Sequence, residues 1–362
     1  MRDVSGLTLR GRGGLSGQRF YAVNIPQGNV ELTHCDISSD TLAGIGIYST
    51  ESTPCNPLIQ HCTIHSCHSA GILLYAGAQG RIMQCDIAGN LGPGISIEDG
   101  DPEIKDCRIH RGRNGPGIHV YRAGRGRIEQ CEIYGNPMSG VLIEAGGHPL
   151  FHECRIFANA GAAVEICRGG KATIQQCQMY NGIGRGVYIH SKGEASLHQC
   201  TIHNNASLGV EMKASDTIAL HGCQIYSNRK GGVLLTENSK ATIDSCTIYG
   251  HAEINIKVGE DCQITLQHST ISQGSGTGIA VRPRGSGHIN NCTIHNHFGP
   301  GIEIERGGNP TIINCHINHN NTALYAHRGA QGCIEYSDLR NNRQGAWQGK
   351  HRLSVINNTI ES

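Results

Sequence analysis

Four residues with the side chains of acid–base chemistry recur at a fixed interval in the middle of this sequence. The candidate catalytic residues are Glu165, Tyr188, His190 and Lys213. Tyr and His side chains can exchange protons, and a Lys ammonium group can stabilise negative charge that develops during a reaction. We interpret Tyr188 or His190 as base and acid and Lys213 as the cation. Glu165 would orient a neighbouring side chain.

A second set of polar residues occupies equivalent positions nearby in the sequence. The candidate substrate-binding residues are Glu98, His119, Tyr121, Glu144 and Glu211. Solvated charge alone would give scattered Lys and Glu, whereas here Tyr and His alternate with acids, which is typical of surfaces that contact a ligand or partner. Exposed strands are also rich in Tyr for packing reasons. The alternative is therefore that these residues only stabilise the sheet and bind nothing.

One short acidic segment is a candidate for binding calcium. Calcium near Glu98, Asp99 and Asp101 is one interpretation, because carboxylate oxygens are its preferred ligands. A solvated turn is the other, because the segment lacks the full D-x-D-x-D-G spacing of a calcium loop. No other cofactor or metal is predicted, since none of the 17 cysteines forms a C-x-x-C pair with zinc-like spacing.

The tripeptide Cys-x-Ile recurs through most of the chain. From Cys131 to Cys315 the interval is 23 residues every time, counting Ser269 in one of the Cys positions. Each repeat, such as Gly301–Asn320, combines a Gly-Ile-x-Ile-x run with two further strand-like runs, separated by turn residues. Three strands and three turns in about 23 residues make one coil of a parallel β-helix. The sequence therefore predicts an all-β solenoid of about 14–15 coils, in which two residues of each Gly-Ile-x-Ile-x strand point outward.

The solenoid is predicted to be one domain with three parts. Residues 1–34 are an irregular first coil, 35–340 form the regular coils, and 341–362 form the last coil and a C-terminal cap. The polar segment around Trp347 would serve as the cap, because exposed sheet edges need covering. A chain excised from a longer protein is the alternative.

Three recurring columns have structural interpretations. The Cys column is predicted to be a buried ladder of free thiols, because unpaired Cys is among the most buried residue types and Ser replaces it in some coils. The alternative is a functional column, in which the Cys side chains form a ladder of disulfides or bind an array of metal ions. The Asn found five residues after many of these Cys residues is predicted to form a turn ladder, because Asn tolerates the left-handed conformation. The position after Cys-x-Ile is often aromatic or His, and these side chains are predicted to stack between coils.

Composition excludes several classes of partner. The 30 Lys and Arg residues nearly balance the 29 Asp and Glu residues, so no nucleic-acid partner is predicted. No stretch approaches the roughly 18 apolar residues of a membrane span, so no membrane partner is predicted. The N-terminus has no secretory signal. With many free Cys this predicts a cytoplasmic location if the chain is complete, and export with the leader removed is the alternative. Self-association through open helix ends is a further expectation.

The repeats resemble a known family. The segment Gly117–Pro149, GIHVYRAGRGRIEQCEIYGNPMSGVLIEAGGHP, resembles the repeats of right-handed β-helix carbohydrate-binding proteins and sugar hydrolases, in the pectate-lyase-like superfamily. From about Thr33 onward the repeats are most similar to the β-helix body of an F-box substrate receptor. The resemblance implies a right-handed, single-stranded parallel β-helix. It implies no ubiquitin role, because the F-box and zinc-finger domains have no counterpart here and the receptor's usual Asn is Cys.

Enzymes with a similar helix include polysaccharide lyases and mannuronan epimerases. In the epimerases a D-P-H-[DE] motif occupies the outward positions of the Gly-opened strand. The nearest segment here, Gly186–Ser191, keeps only His190, with Tyr188 in place of the acid and Ile189 in place of Pro. The paired Asp and Gly-His-Gly motifs of polygalacturonases are absent from the sequence.

Two functions remain open at this point. The first is a recognition scaffold that binds a polysaccharide or protein along the outward face of the Gly-Ile-x-Ile-x strands, as repeat proteins often do. The second is an enzyme: a lyase or C5-epimerase acting on uronic-acid polymers through the Tyr and His residues, or a glycoside hydrolase. The missing family motifs favour the scaffold, and the fold alone does not decide.

Overall fold

The computed structural model describes residues 2–13, 19–50, 55–214, 217–349 and 353–360. Every regular element in these ranges is a β-strand of two to five residues, and they contain no helix. The predicted fold class is confirmed: three parallel sheets form a β-solenoid of about 14 turns with about 23 residues per turn. The chain divides into two compact units, Met1–Gly184 and Arg185–Ser362.

The described residues of the first unit form 23 strands. In chain order, β1 to β23 are Arg2–Ser5, Thr8–Gly11, Val23–Ile25, Val30–Thr33, Asp36–Ser39, Ile45–Tyr48, Leu58–Gln60, Thr63–His65, Ile72–Tyr75, Arg81–Met83, Asp86–Ala88, Ile95–Glu98, Glu103–Lys105, Arg108–His110, Ile118–Tyr121, Arg127–Glu129, Glu132–Tyr134, Val141–Ile143, Leu150–His152, Arg155–Phe157, Val164–Ile166, Lys171–Gln175 and Gln178–Tyr180. Every third strand belongs to the same sheet. The first sheet contains β1, the second β2 and the third β3.

In the second unit, the part of the chain that the structure describes forms 22 strands. In chain order, β24 to β45 are Val187–His190, Glu194–His198, Thr201–His203, Val210–Lys213, Thr217–His221, Gln224–Tyr226, Val233–Thr236, Lys240–Asp244, Thr247–Tyr249, Ile256–Val258, Gln263–Gln267, Thr270–Ser272, Ile279–Val281, Ser286–Asn290, Thr293–His295, Ile302–Ile304, Asn309–Ile313, His316–Asn318, Leu324–Ala326, Cys333–Glu335, Trp347–Gln348 and Ser354–Ile356. Its first sheet begins with β25, its second with β26 and its third with β24.

The core of each coil is a column of branched aliphatic side chains. In β9, Ile72 and Leu74 are fully buried, whereas Leu73 and Tyr75 are half-buried on the outer surface. This alternation follows from the pleat of a strand, which points successive side chains to opposite faces. The third sheet of each unit contains the Gly-Ile-x-Ile-x strands, and its outer surface carries the predicted site residues.

The glycine that opens these strands is required by close backbone packing. A Cβ atom at Gly117 would lie 2.5 Å from Ile133 Cγ2 and 2.7 Å from the carbonyl oxygen of Gly140 in the next coil. A Cβ at Gly209 would meet the equivalent atoms of Ile225 and Gly232. Any side chain at this position would push neighbouring coils apart, which explains the recurrence of glycine.

The cysteine ladder is confirmed as a column of buried free thiols. All 17 cysteines lie in the described part of the chain; none forms a disulfide there, and 16 are buried. The single S–H group of Cys85 has two acceptors within reach, the carbonyl oxygen of Met83 at 3.2 Å from Sγ and that of Ile59, in the preceding coil, at 3.5 Å. The thiol therefore satisfies backbone carbonyls at the turn between the first and second sheets.

The asparagine ladder is confirmed, but the reason predicted for it is wrong. The left-handed conformation belongs to the residue before each ladder Asn, such as Ala158 (φ 53°), and not to the Asn itself. Asn159 is buried, accepts from the backbone N–H of Asn136 at 3.0 Å and donates to the carbonyl oxygen of Ile133 at 3.0 Å. The side-chain amide of Asn159 thus forms hydrogen bonds with backbone groups of neighbouring coils. Buried backbone N–H and C=O groups need such partners.

The predicted aromatic rows are also present on the second sheet. In the first unit His110, Tyr134, Phe157 and Tyr180 stack with ring centroids 4.7, 4.9 and 5.0 Å apart. In the second unit His203, Tyr226 and Tyr249 stack at 4.8 and 4.9 Å. These distances equal the spacing of paired strands, so the rows follow directly from the coil register.

The two ends of the predicted domain are only partly described. In the predicted first coil, 1–34, residues 1 and 14–18 lie outside the described residues, and the rest includes β1 to β4. In the predicted cap, 341–362, residues 350–352 and 361–362 lie outside them. Trp347 is in β44, where it pairs in parallel with Leu324. The division into first coil, regular coils and cap stays a prediction.

No helix of the described residues is long and apolar enough to cross a membrane.

Candidate functional site

The outer surface of the third sheet is a grid two residues wide, as the sequence predicts. In the first unit, Ser96, His119, Leu142 and Glu165 are paired in register along the first outward column. Glu98 and Tyr121 are paired along the second column. Equivalent residues of successive coils therefore lie one strand spacing apart, about 4.8 Å.

Four of the predicted binding residues form a connected row in the first unit. The hydroxyl of Tyr121 donates to Glu98 Oε2 at 2.8 Å, and the Tyr121 ring stacks on His119 with centroids 4.4 Å apart. His119 Nε2 lies 3.2 Å from Glu144 Oε1. Side-chain exposure is 20% for His119, 18% for Glu144 and 23% for Glu98. The four side chains hold one another in place, and their partly exposed outer edges are accessible to a ligand.

Burial shifts the pKa values of two side chains in this row. Desolvation lowers the pKa of His119, and the charge of Glu144 opposes that shift. Desolvation and the hydrogen bond to Glu98 raise the pKa of Tyr121. At neutral pH, His119 and Tyr121 are thus both held in their neutral forms, in which they can donate and accept hydrogen bonds.

Two arginines that were not among the predicted site residues border this row. Arg122 forms an ion pair with Glu98. Arg168 Nη1 lies 3.2 Å from Glu144 Oε2. Each arginine is 24 residues after its glutamate, one place beyond the outward column of the next coil. Their distance from the glutamates follows from the coil register. The two arginines were nevertheless not predicted, because they lie in the turn after the strand and only their long side chains reach the grid.

Carboxylates in the first outward column share one type of support. Ser139 Oγ donates to Glu165, Arg185 Nε donates to Glu211, and Thr277 Oγ1 donates to Glu303. All three pairs are 26 residues apart. In each pair the donor is the residue directly before the glycine that opens the Gly-Ile-x-Ile-x strand. The residue in front of this glycine therefore orients the carboxylate in the equivalent strand of the next coil.

Three of the four predicted catalytic residues lie close together in the second unit. The rings of Tyr188 and His190 stack with centroids 4.5 Å apart, and His190 is paired in register with Lys213. The guanidinium of Arg185 lies 4.6 Å from the centre of the Tyr188 ring. Lys213 Nζ lies 3.2 Å from Glu237 Oε1. Lys213, the predicted catalytic cation, is therefore paired with Glu237, which was not among the predicted site residues.

Two further predicted residues have different surroundings. Glu165, the fourth predicted catalytic residue, lies in β21 of the first unit, where Ser139 donates to its carboxylate. Glu211 lies in β27 of the second unit and is paired in register with Tyr188. Its side chain is 14% exposed and forms an ion pair with Arg185. Glu211 is thus next to the predicted acid–base pair, as the sequence spacing implies.

The predicted calcium segment shows no arrangement that favours a metal. The carboxylate of Glu98 already accepts from Tyr121 and Arg122. Asp99 and Asp101 are exposed turn residues, and Asp99 has a φ of 56°. No group of three or more His, Cys, Asp or Glu in the described ranges is arranged to hold a metal ion. Calcium at these residues stays a prediction.

Several solved structures are similar to this chain to different degrees. The periplasmic alginate epimerase AlgG is 10% identical, with a TM-score of 0.55 over 85% of this chain and 77% of that chain. The A-module of the Azotobacter vinelandii mannuronan C-5 epimerase AlgE4 is 12% identical, with a TM-score of 0.43 over 93% and 91% of the two chains. Pectate lyase Pel9A is 12% identical, with a TM-score of 0.40 over 60% and 66%. At these identities the likeness concerns the fold alone. No curated protein matches this sequence significantly.

The sequence itself matches a family model over nearly its whole length. The model, described as "Right handed beta helix region", matches residues 15–156, 99–216 and 208–360. These matches follow the repeat of the coils that the structure shows. The chain belongs to the right-handed β-helix family.

Proposed function

We propose that this protein is a recognition scaffold that binds a polysaccharide or protein partner on the outer surface of its third sheet. The observation that carries the proposal is the connected row of the first unit, in which Glu98, Tyr121, His119 and Glu144 are joined by hydrogen bonds and ring stacking. Groups held in place by one another lose little conformational entropy when a ligand binds.

The chemistry of the row suits a hydroxyl-rich ligand. Carboxylate oxygens accept hydrogen bonds from hydroxyl groups, and neutral His and Tyr can both donate and accept. Arg122 and Arg168 balance the charges of Glu98 and Glu144, so the surface carries no large net charge. A polysaccharide is therefore favoured over a strongly charged protein partner. The shared fold with an alginate epimerase supports the same class of ligand.

The proposal is tested by a panel of immobilised polysaccharides, neutral and acidic, with the purified protein in solution. We expect retention on at least one polysaccharide. The Tyr121→Ala variant should lose it, because the variant removes both the stacking and the hydrogen bond to Glu98. Tyr249→Ala removes a tyrosine from the second sheet and serves as the matched control. Equal retention of Tyr121→Ala and the wild-type protein would contradict the proposal, provided that both melt at similar temperatures.

An enzyme that cleaves or epimerises uronic-acid polymers is the second candidate. It is supported by the stacked Tyr188 and His190 beside Lys213. In such a reaction a base removes the proton next to the uronate carboxylate and a cation stabilises the resulting anion; in a lyase, an acid then protonates the leaving oxygen. Tyr188 or His190 would serve as base and acid, and Lys213 would supply the charge after release from Glu237.

The two candidates are separated by incubating the protein with alginate and pectate. A lyase forms an unsaturated product that absorbs ultraviolet light, and an epimerase changes the epimer content measured by NMR. Binding without turnover supports the scaffold. Turnover that disappears in Tyr188→Ala and His190→Ala would overturn it in favour of the enzyme.

A further inference from the structure

A small recess opens on the third sheet of the second unit. Leu208, Gly231 and Ile254 occupy the same position in three consecutive coils, just before the Gly-Ile-x-Ile-x strands. Gly231 has a φ of 127°, and a Cβ there would lie 3.3 Å from Leu208 Cδ2 and 2.7 Å from the carbonyl oxygen of Ile254. The coils are therefore closely packed at Gly231, and the side chains of Leu208 and Ile254 on either side of it line the recess.

The recess has an apolar floor and two ammonium groups at its edge. Its volume is about 210 Å³, and Leu208, Leu234 and Ile254 supply its apolar lining. Lys230 and Lys257 also line it, together with Glu253. Lys230 is exposed and Lys257 is half-buried. The site thus joins a hydrophobic surface to positive charge.

Neither ammonium group forms an ion pair within the part of the chain that the structure describes. Among the described residues, no carboxylate lies within the 4.0 Å ion-pair distance of Lys230 or Lys257. Arg282, whose charge repels that of Lys257, is itself paired with Glu305. Burial and Arg282 lower the pKa of Lys257, and Glu253 only partly opposes this. A bound anion would remove this unfavourable electrostatic situation.

We propose that this recess binds a small aromatic carboxylate. The ring would pack on Leu208, Leu234 and Ile254, and the carboxylate would lie between Lys230 and Lys257. An engineered apolar cavity of about 150 Å³ binds benzene, so the recess has room for one aromatic ring. Apolar contact and charge are both required, which separates this ligand from a neutral aromatic compound and from an inorganic anion. The recess contains none of the residues assigned to polysaccharide binding, so the two proposals stand independently.

The test is an equilibrium titration of the whole chain with 3-phenylpropanoate by calorimetry. Its neutral analogue, 3-phenylpropanamide, has the same ring without the charge. We expect the carboxylate to bind more tightly than the amide. The Lys230→Met/Lys257→Met variant should weaken carboxylate binding by about tenfold, since it removes two charge contacts, and leave amide binding unchanged. Lys240→Met, which removes an exposed lysine from the first sheet, is the matched control.

A second variant tests the apolar part of the site. Leu234→Gln should weaken both ligands, because it places an amide on the floor of the recess, and Leu234 is only half-buried, so the coil should still fold. Saturation-transfer NMR should show that the ring protons of the ligand contact the protein. Three results would overturn the proposal: no carboxylate binding by the wild-type chain, equal affinity for carboxylate and amide, or unchanged carboxylate binding in the double lysine variant.

Discussion

Two histidines replace asparagine in the buried ladder of the second unit. His251 and His297 are each 1% exposed. Nδ1 of His251 accepts from the backbone N–H of Asn228 at 3.1 Å, and Nε2 faces the carbonyl oxygen of Ile225 at 3.2 Å. This pattern requires the neutral ring protonated at Nε2. Burial lowers the pKa of His251 and of His297 to about 4.

We predict that these two histidines make the protein less stable in mild acid. The unfolded chain takes up protons on each His below its ordinary pKa of about 6.5, whereas the folded chain does so only near pH 4. Stability therefore falls as the pH drops through this window, by about 2 kcal/mol for each His at pH 5. Urea unfolding at pH 7 and pH 5 measures the effect.

The control for this prediction is His251→Asn/His297→Asn, because asparagine fills the equivalent position in neighbouring coils. The double variant should lose most of the difference between pH 7 and pH 5. If it kept the full wild-type difference, other groups would be responsible for the acid sensitivity.

The asparagine ladder gives a second prediction at this scale. Asn159→Ala should destabilise the first unit by about 2–4 kcal/mol, because it removes the buried hydrogen bonds that the Asn159 amide forms with the backbone N–H of Asn136 and the carbonyl oxygen of Ile133. Gln178→Ala, on the exposed surface of the second sheet, should cost less than about 0.5 kcal/mol. Urea unfolding of both variants compares them, and similar losses would contradict the role given to the ladder.

Residue patterns in the sequence predicted which side chains recur but not always what they do. The cysteine column was predictable as packing, because Ser replaces Cys in some coils. The function of the asparagine column was not, because a recurring Asn does not reveal which residue of the turn has the positive φ. The pairs Arg122–Glu98 and Arg168–Glu144 were missed because long side chains reach the grid from the turn.

At the scale of single elements, the aromatic row of the second sheet stabilises the first unit. Phe157 stacks between Tyr134 and Tyr180, and Arg155 lies over its ring at 5.6 Å. We predict that Phe157→Ala costs about 2 kcal/mol, from two stacking contacts of about 1 kcal/mol each. The free energy of unfolding in urea provides the measurement. The matched control is Phe298→Ala, since Phe298 is 70% exposed in a turn and its loss should cost much less.

Coil register was the most predictable property of the elements. A 23-residue interval places equivalent residues on neighbouring strands, so the pairing of Ser96 with His119 and of His190 with Lys213 followed from counting. The recess lined by Leu208, Leu234 and Ile254 was not predicted, because a recess depends on how the side chains of successive coils pack, which the residue interval alone does not give.

At the scale of the whole molecule, free thiols are numerous but inaccessible. Sixteen of the 17 cysteines are buried, and only Cys333 is half-buried. We predict that a chromogenic disulfide reagent reacts quickly with no more than one thiol of the native protein and with all 17 after denaturation, because access limits thiol reactivity. Several fast-reacting thiols in the native protein would contradict the buried ladder.

The coil scaffold leaves the outer surface of the third sheet free to vary, and the proposed function depends on that surface. The most direct test is a calorimetric titration of the wild-type protein and a Tyr121→Ala/Glu144→Gln variant with a soluble oligosaccharide of the polysaccharide retained in the panel. We predict saturable binding by the wild-type protein and a loss of at least about tenfold in the variant, because it removes the hydrogen bond and the ring stacking of Tyr121 and the carboxylate charge of Glu144. Equal affinities of the two proteins, with both fully folded, would contradict the assignment of this surface as the binding site.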